Sequence, residues 1–194
     1  PALKWNLHRL KILIIFSYAF LLCACVPAAF VGGAAVATVI YDQRDVNAIL
    51  ADQRITHHIQ YRINHSAPLQ GANIAVYSFD RRVLLLGQAH NQLQLSIALR
   101  IARNELKVRR IYNQITIGKT SSLSEGAKDT WITTRVKTAL LAEPGLKSAQ
   151  IKVITERKVV YLMGIVRRKQ ARIAIGKIRQ MHEIQKVIPL FEYR

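Results

Sequence analysis

Acidic residues, cysteine and long apolar runs are all scarce in this chain. Its 194 residues hold 11 Asp and Glu against 29 Lys and Arg, a net charge of +18, and two cysteines, Cys23 and Cys25. With so few acids, and with no G-x-S-x-G, H-E-x-x-H or phosphate-binding glycine loop, no catalytic constellation can be assembled. Histidine is the remaining temptation for a metal. His58 and His65 share a helical face two turns apart, but no cysteine or carboxylate cluster joins them or His57, so all three read as a solvated face. Neither catalysis, a cofactor nor a metal is expected. The apolar run from Ile12 to Leu22 is well short of the ~20 residues a membrane-spanning helix needs.

That run has a different use. Lys4, Arg9 and Lys11 precede it as the positive n-region of an export signal, which predicts a signal peptide over residues 1–24. Leu22-Cys23-Ala24-Cys25 resembles the lipobox of bacterial lipoproteins. Cys25 has an aliphatic residue three positions before it and a small one directly before it; Cys23 does not, because Leu22 would occupy the small-residue position. Lipid attachment is therefore expected at Cys25, leaving no second cysteine for a disulfide or a metal site. The alternative is an uncleaved anchor, since no charge appears from Ile12 to Ile40, but Pro27, Gly32 and Gly33 suit a pliant tether over residues 25–50 better. Removing the three n-region cations from +18 leaves +15 on the mature chain. Such a field favours an acidic partner, and for an exported protein anionic phospholipid or an acidic envelope polymer is expected rather than nucleic acid.

Sliding the chain against itself by 77 residues reveals a duplication. Ile55, Ile59 and Ile63 fall on Ile132, Val136 and Leu140, one helical face in each copy. Ile74 and Val76 fall on Ile151 and Val153, alternating as in a strand, and Gly87 falls on Gly164. Each copy reads as helix, strand, strand, helix, strand. The first places these near 52–64, 73–78, 82–88, 92–106 and 110–117, and the second near 129–141, 150–155, 158–165, 169–181 and 185–192. Hairpin turns are required at Phe79-Asp80-Arg81 and Glu156-Arg157-Lys158, and Asp52 and Asp129 are expected as helix N-caps. The fold class is α+β: two small domains, over 51–117 and 128–194, each a three-stranded mixed sheet with two helices on one face, joined by a polar linker over 118–127. A unit this small buries little apolar surface, so packing between the copies is expected to matter.

The residues so assembled resemble the BON-domain family, in the form of its dual-domain outer-membrane lipoproteins. The similarity runs from Cys25-Val26 to the final strand. Its most specific stretch is Lys128 to Lys137 (KDTWITTRVK), with a strand-then-glycine signature at Val83 to Gln88 and Val160 to Gly164. The resemblance implies a non-enzymatic protein that binds phospholipid and maintains outer-membrane integrity, with the lipid surface on the first helix of the second domain. Val26, in place of the Asp that retains lipoproteins at the inner membrane, implies outer-membrane delivery, facing the periplasm.

The residues point to the same helix. At 100° per residue Ile132, Val136 and Leu140 form the buried stripe, while Lys128, Trp131, Arg135 and Thr138 lie together on its flank. An indole beside cations suits a membrane interface, where the ring sits at headgroup depth; the alternative is that Trp131 packs against the neighbouring repeat. Arg168, Arg172 and Arg179 share one face of the last helix and are possible additional basic contacts, although a cationic run is more often a solvated face. The 16 Lys and Arg against 6 Asp and Glu over residues 119–194 leave +10 there, against +5 over 26–118. Anionic phospholipid is thus the expected partner. A docking subunit of an envelope secretion or assembly complex is the second reading.

Overall fold

The computed structural model describes residues 45–194; the expected signal peptide, Cys25 and nearly all of the tether lie outside the described residues. Ten elements follow in order: α1 (Val46–Asn64), β1 (Asn73–Phe79), β2 (Arg82–Ala89), α2 (Gln92–Arg103), β3 (Arg110–Ile117), α3 (Leu123–Leu141), β4 (Ile151–Glu156), β5 (Val159–Val166), α4 (Arg168–Arg179) and β6 (Lys186–Tyr193). Each sheet is mixed: the hairpin pairs antiparallel, and the crossover helix returns the last strand parallel to the central one, giving the orders β1-β2-β3 and β4-β5-β6. Among the described residues no helix is long and apolar enough to cross a membrane.

Both helices of a copy cover one face of its sheet. In the first, Ile55, Ile59 and Ile63 meet Ala98, Ile101 and Ala102 over Ile74, Val76, Val83 and Leu85. In the second, Ile132, Val136 and Leu140 meet Ala171, Ala174 and Ile178 over Ile151, Val153, Val160 and Leu162. The opposite faces pack on each other. Leu84, Leu86 and Phe79 meet Tyr161, Met163, Ile154 and Leu190 in a third apolar cluster. Every residue of β2 is buried, because alternate side chains serve the helices and the partner sheet. Four layers result, with the helices outside.

The 77-residue register holds through the central strands and becomes 76 from the second helix onward: Gln92 matches Arg168, and Arg110 matches Lys186. The missing residue comes from the loop before that helix, which is His90-Asn91 in the first copy and Arg167 alone in the second. Gly87 and Gly164 lie inside strands rather than at their ends. A Cβ at Gly87 would stand 2.0 Å from the Asn73 carbonyl oxygen, and one at Gly164 would stand 2.5 Å from that of Gln150. The shared glycine therefore admits, against the central strand, the carbonyl at the entry to the first strand of each sheet, that of Asn73 at the start of β1 and of Gln150 directly before β4.

The expected N-caps need correction. Asp52 and Asp129 lie well inside helices that start six residues earlier, at Val46 and Leu123. The caps are Asp45, and Ser122 in a reciprocal capping box with Glu125. Nothing in the first turn and a half of either helix is buried, so hydrophobic periodicity could not report those turns. The two aspartates are buried for another reason. Each accepts hydrogen bonds from a hairpin turn: Asp52 from Asp80 N and Arg81 N, both at 2.7 Å, and from Ser78 Oγ; Asp129 from Arg157 N at 2.6 Å and Lys158 N at 2.9 Å. Those turn residues all have positive φ, near 50° and 60° in both copies, the two-residue arrangement that suits a twisted hairpin but disfavours side chains other than glycine, asparagine or aspartate. The helix carboxylate is what holds each turn.

Polar contacts rim the sheet-to-sheet core. Gln88 Nε2 donates to Glu156 Oε1 at 2.6 Å, Ser121 Oγ donates to the same oxygen at 3.1 Å, and Lys152 Nζ donates to the Ser78 carbonyl at 3.0 Å; Arg82 pairs with Glu192. Burial, and secondarily the Glu156 carboxylate, raises the phenols of Tyr77 and Tyr161 above the usual value of 10.0. Folding thus favours the neutral phenols, and the stabilisation is complete below pH 10 and lost as pH rises through the raised values. Alkaline titration should show two of the seven tyrosines ionising late and together with loss of folded structure. Uniform ionisation near pH 10, with the far-ultraviolet circular dichroism unchanged, would contradict this packing.

Candidate functional site: the outer face of the third helix

The sheet-to-sheet core is closed, so α3 carries the second domain's Trp131 on the outside. Trp131 is 52% exposed and takes no part in the cluster between the sheets. The alternative in which it packs against the neighbouring repeat is thereby removed. The Arg135 guanidinium lies over the indole, 4.9 Å from the ring centroid, and its Nη1 is 2.9 Å from Glu183 Oε1. Stacking on an aromatic face while paired at one edge fixes the Arg135 side chain along the helix. Lys128 and Thr138 are exposed on the same flank.

Beside this flank the outer face is almost uncharged, which the buried periodicity does not reveal. Leu123, Ala127, Thr130, Trp131, Thr134, Thr138 and Leu141 follow one another at helical spacing opposite the buried Ile132, Val136 and Leu140. Leu123 is 97% exposed and Leu141 73%. The threonine hydroxyls are engaged within the helix: Thr130 Oγ1 donates to the Gly126 carbonyl at 2.9 Å, Thr134 to that of Thr130 at 3.0 Å, and Thr138 to that of Thr134 at 3.0 Å. With those protons satisfied, the face demands little hydration. Lys128 and Arg135 border it on one side and Lys137 on the other, while Glu125, in the first turn, lies on the opposite side of the helix, in line with Asp129 and Ile132, its carboxyl held below the usual range chiefly by the Ser122 backbone hydrogen bond. The equivalent face of α1 carries Arg54, His57 and Tyr61 instead. Thr134, Leu123 and Leu141 were missed by attention to Trp131; the signal for them is a second 3.6-residue period on the solvent side.

The arginines of the last helix form a separate group. Arg168, Arg172 and Arg179 are exposed on α4, and Arg168 stacks on Tyr193 at 4.9 Å. His57 and His58 are exposed on α1 and His65 at its carboxyl-terminal cap; His58 Nδ1 is 3.4 Å from Glu105, and His65 stacks on Tyr61. Among the described residues no group of three His, Cys, Asp or Glu side chains converges.

The family model for the BON domain matches the chain twice, over residues 51–119 and 128–194. The chain belongs to the BON-domain family. It is 29% identical to outer membrane lipoprotein DolP of Haemophilus influenzae over 184 residues, covering 94% of this chain and 95% of that one. It is 32% identical to a 21 kDa hemolysin of Actinobacillus pleuropneumoniae over 78% of this chain and 79% of that one. Structural likeness to CdsD, a structural protein of the type III secretion system of Chlamydia trachomatis, is slight: 10% identity and a TM-score of 0.31, over 73% of this chain and 92% of that one. This is a DolP-like, tandem BON-domain outer-membrane lipoprotein, and not an enzyme.

Proposed function

We propose that this BON-domain lipoprotein is tethered to the outer membrane through an acylated Cys25, faces the periplasm, and binds anionic phospholipid through α3 of its second domain, supporting the integrity of that membrane. The observation that carries the reading is the outer face of α3: an uncharged stripe with exposed Leu123, Trp131 and Leu141, bordered by Lys128, Arg135 and Lys137. A helix whose solvent side is the less charged one, edged by cations, matches the composition of an interfacial helix. Partial burial of the indole contributes roughly 1–2 kcal/mol at about 25 cal/mol per Å², and each cation near a negative surface adds about 1 kcal/mol. The helix alone binds weakly. The lipid at Cys25 keeps it near the bilayer, so a weak site is sufficient.

The test is co-sedimentation of residues 42–194, which form a compact unit of their own, with phosphatidylglycerol-containing and with purely zwitterionic vesicles over a range of salt. Binding should require the anionic lipid and fall steeply with ionic strength, since screening acts over roughly 8–10 Å. Trp131→Ala should weaken binding about five- to thirtyfold at every salt concentration, whereas Arg135→Ala should mainly flatten the salt dependence. Indifference to both lipid charge and Trp131 would sink the lipid reading in favour of docking to an envelope protein.

A further inference from the structure

A cavity of about 580 Å³ opens in the second domain, lined among the described residues by Lys147, Gln150, Arg167, Gln170 and Arg194. It lies beyond the carboxyl end of α3, which ends ten residues, or about 15 Å of helix, after Trp131. Three of these residues are cations. Among the described residues none of the three has an acidic partner, although like charges repel when gathered around one space. Gln170 holds the arrangement in place: its Nε2 donates to the Gly145 carbonyl at 2.7 Å, and its Oε1 accepts from Lys147 N at 2.8 Å.

The first domain provides an internal control. Gln94 makes the same bridge from helix to loop, donating to the carbonyls of Pro68 at 3.0 Å and Gln70 at 3.1 Å. Around it the cations are replaced. Gln70 stands for Lys147 and Gly118 for Arg194, and the loop His90-Asn91 stands for Arg167. Asn91 caps α2 by accepting from Gln94 N at 2.9 Å, while Arg167 provides no side-chain cap to α4. The His90 ring stands over Gly71, where an added Cβ would fall 2.9 Å from its Nε2. The one-residue deletion in the second domain removes that ring. The scaffold therefore folds with neutral residues at this corner, and the three cations answer to something other than folding.

We propose that this cavity is an anion site for a group carrying two or more phosphate charges, with Lys147, Arg167 and Arg194 as direct contacts and Gln170 as the positioning residue. Guanidinium forks match phosphate oxygens in pairs, and the ammonium adds a point charge. A diphosphate or a phosphomonoester fits three cations better than a singly charged phosphodiester does. The site is independent of the lipid reading of α3. Its ligand could come from a phosphomonoester lipid headgroup or from a soluble diphosphate, which share this chemistry.

The experiment is calorimetric titration of the detergent-solubilised full chain with inorganic pyrophosphate, and separately with sulfate, at fixed ionic strength. One pyrophosphate should bind per chain, more tightly than sulfate. Lys147→Gln combined with Arg194→Gly, which reproduces the first domain, should weaken it at least tenfold, Arg167→Lys should weaken it less, and Trp131→Ala should leave it unchanged. The pyrophosphate-induced rise in unfolding temperature gives a second readout, present in the wild type and lost in the double variant. Vesicles carrying phosphatidic acid or phosphatidylglycerol at matched charge separate the sources: a preference for phosphatidic acid lost on Arg167→Gln assigns the ligand to lipid, and pyrophosphate binding without that preference assigns it to a soluble group. No saturable pyrophosphate binding, or wild-type affinity in the folded double variant, would overturn the proposal.

Discussion

Asp129→Ala is expected to lower the unfolding free energy of the full chain by about 2–4 kcal/mol, since a hydrogen bond to a charged group contributes about 1.5–3 kcal/mol and the carboxylate accepts two from the turn at Arg157 and Lys158. Both turn residues have positive φ, a conformation that is unfavourable by about 1–2 kcal/mol per residue without such support. Asp129→Asn should restore only part of the loss, because an amide presents one accepting oxygen and sets its NH2 against the second backbone donor. Asp52→Ala should cost at least as much, since that carboxylate also accepts from Ser78. Urea denaturation, with Lys137→Ala as an exposed control, measures all three. A loss within 0.5 kcal/mol of the control, the range of ordinary surface changes, would mean that the turn is held by something else.

Thr134→Asp should reduce binding to phosphatidylglycerol vesicles by roughly thirtyfold or more. Thr134 is exposed in the middle of the uncharged stripe on α3, so a carboxylate there meets both the negative surface, at about 1 kcal/mol per charge, and the loss of hydration on approach. Each 1.4 kcal/mol is tenfold in affinity. The same substitution barely touches folding, because Thr134 packs in no core, and circular dichroism should be unchanged. His57→Asp, at the equivalent position of α1, should leave vesicle binding within about twofold. Equal loss from the two substitutions would point to net charge rather than to this helix face.

Much of the fold was legible because the buried surface is periodic. Ile55, Ile59 and Ile63 with their partners Ile132, Val136 and Leu140 mark the inner helix faces, and the unbroken run Val83-Leu84-Leu85-Leu86 marks a strand covered on both sides. The early starts of α1 and α3 were written in polar chemistry, Asp45 and the Ser122/Glu125 box, which a search for apolar spacing passes over. The outer stripe of α3 was half visible: Trp131, Lys128, Arg135 and Thr138 stand out by type, whereas Leu123, Thr134 and Leu141 acquire meaning when the opposite side is known to be buried.

The sequence specifies the duplication, the order of elements and the inner faces of the helices, because those rest on local spacing that each residue shows with its near neighbours. It also determined the family, through the glycines at 87 and 164 and the stretch around Trp131. Tertiary structure alone decided that the two sheets close on each other and leave α3 facing outward, that Asp52 and Asp129 hold hairpin turns instead of starting helices, and that Lys147, Arg167 and Arg194 meet at one cavity. Each of these joins residues about 20 to 110 positions apart, and their types, an aspartate near a helix start or scattered cations in a basic chain, have an ordinary local reading that distant packing overrides.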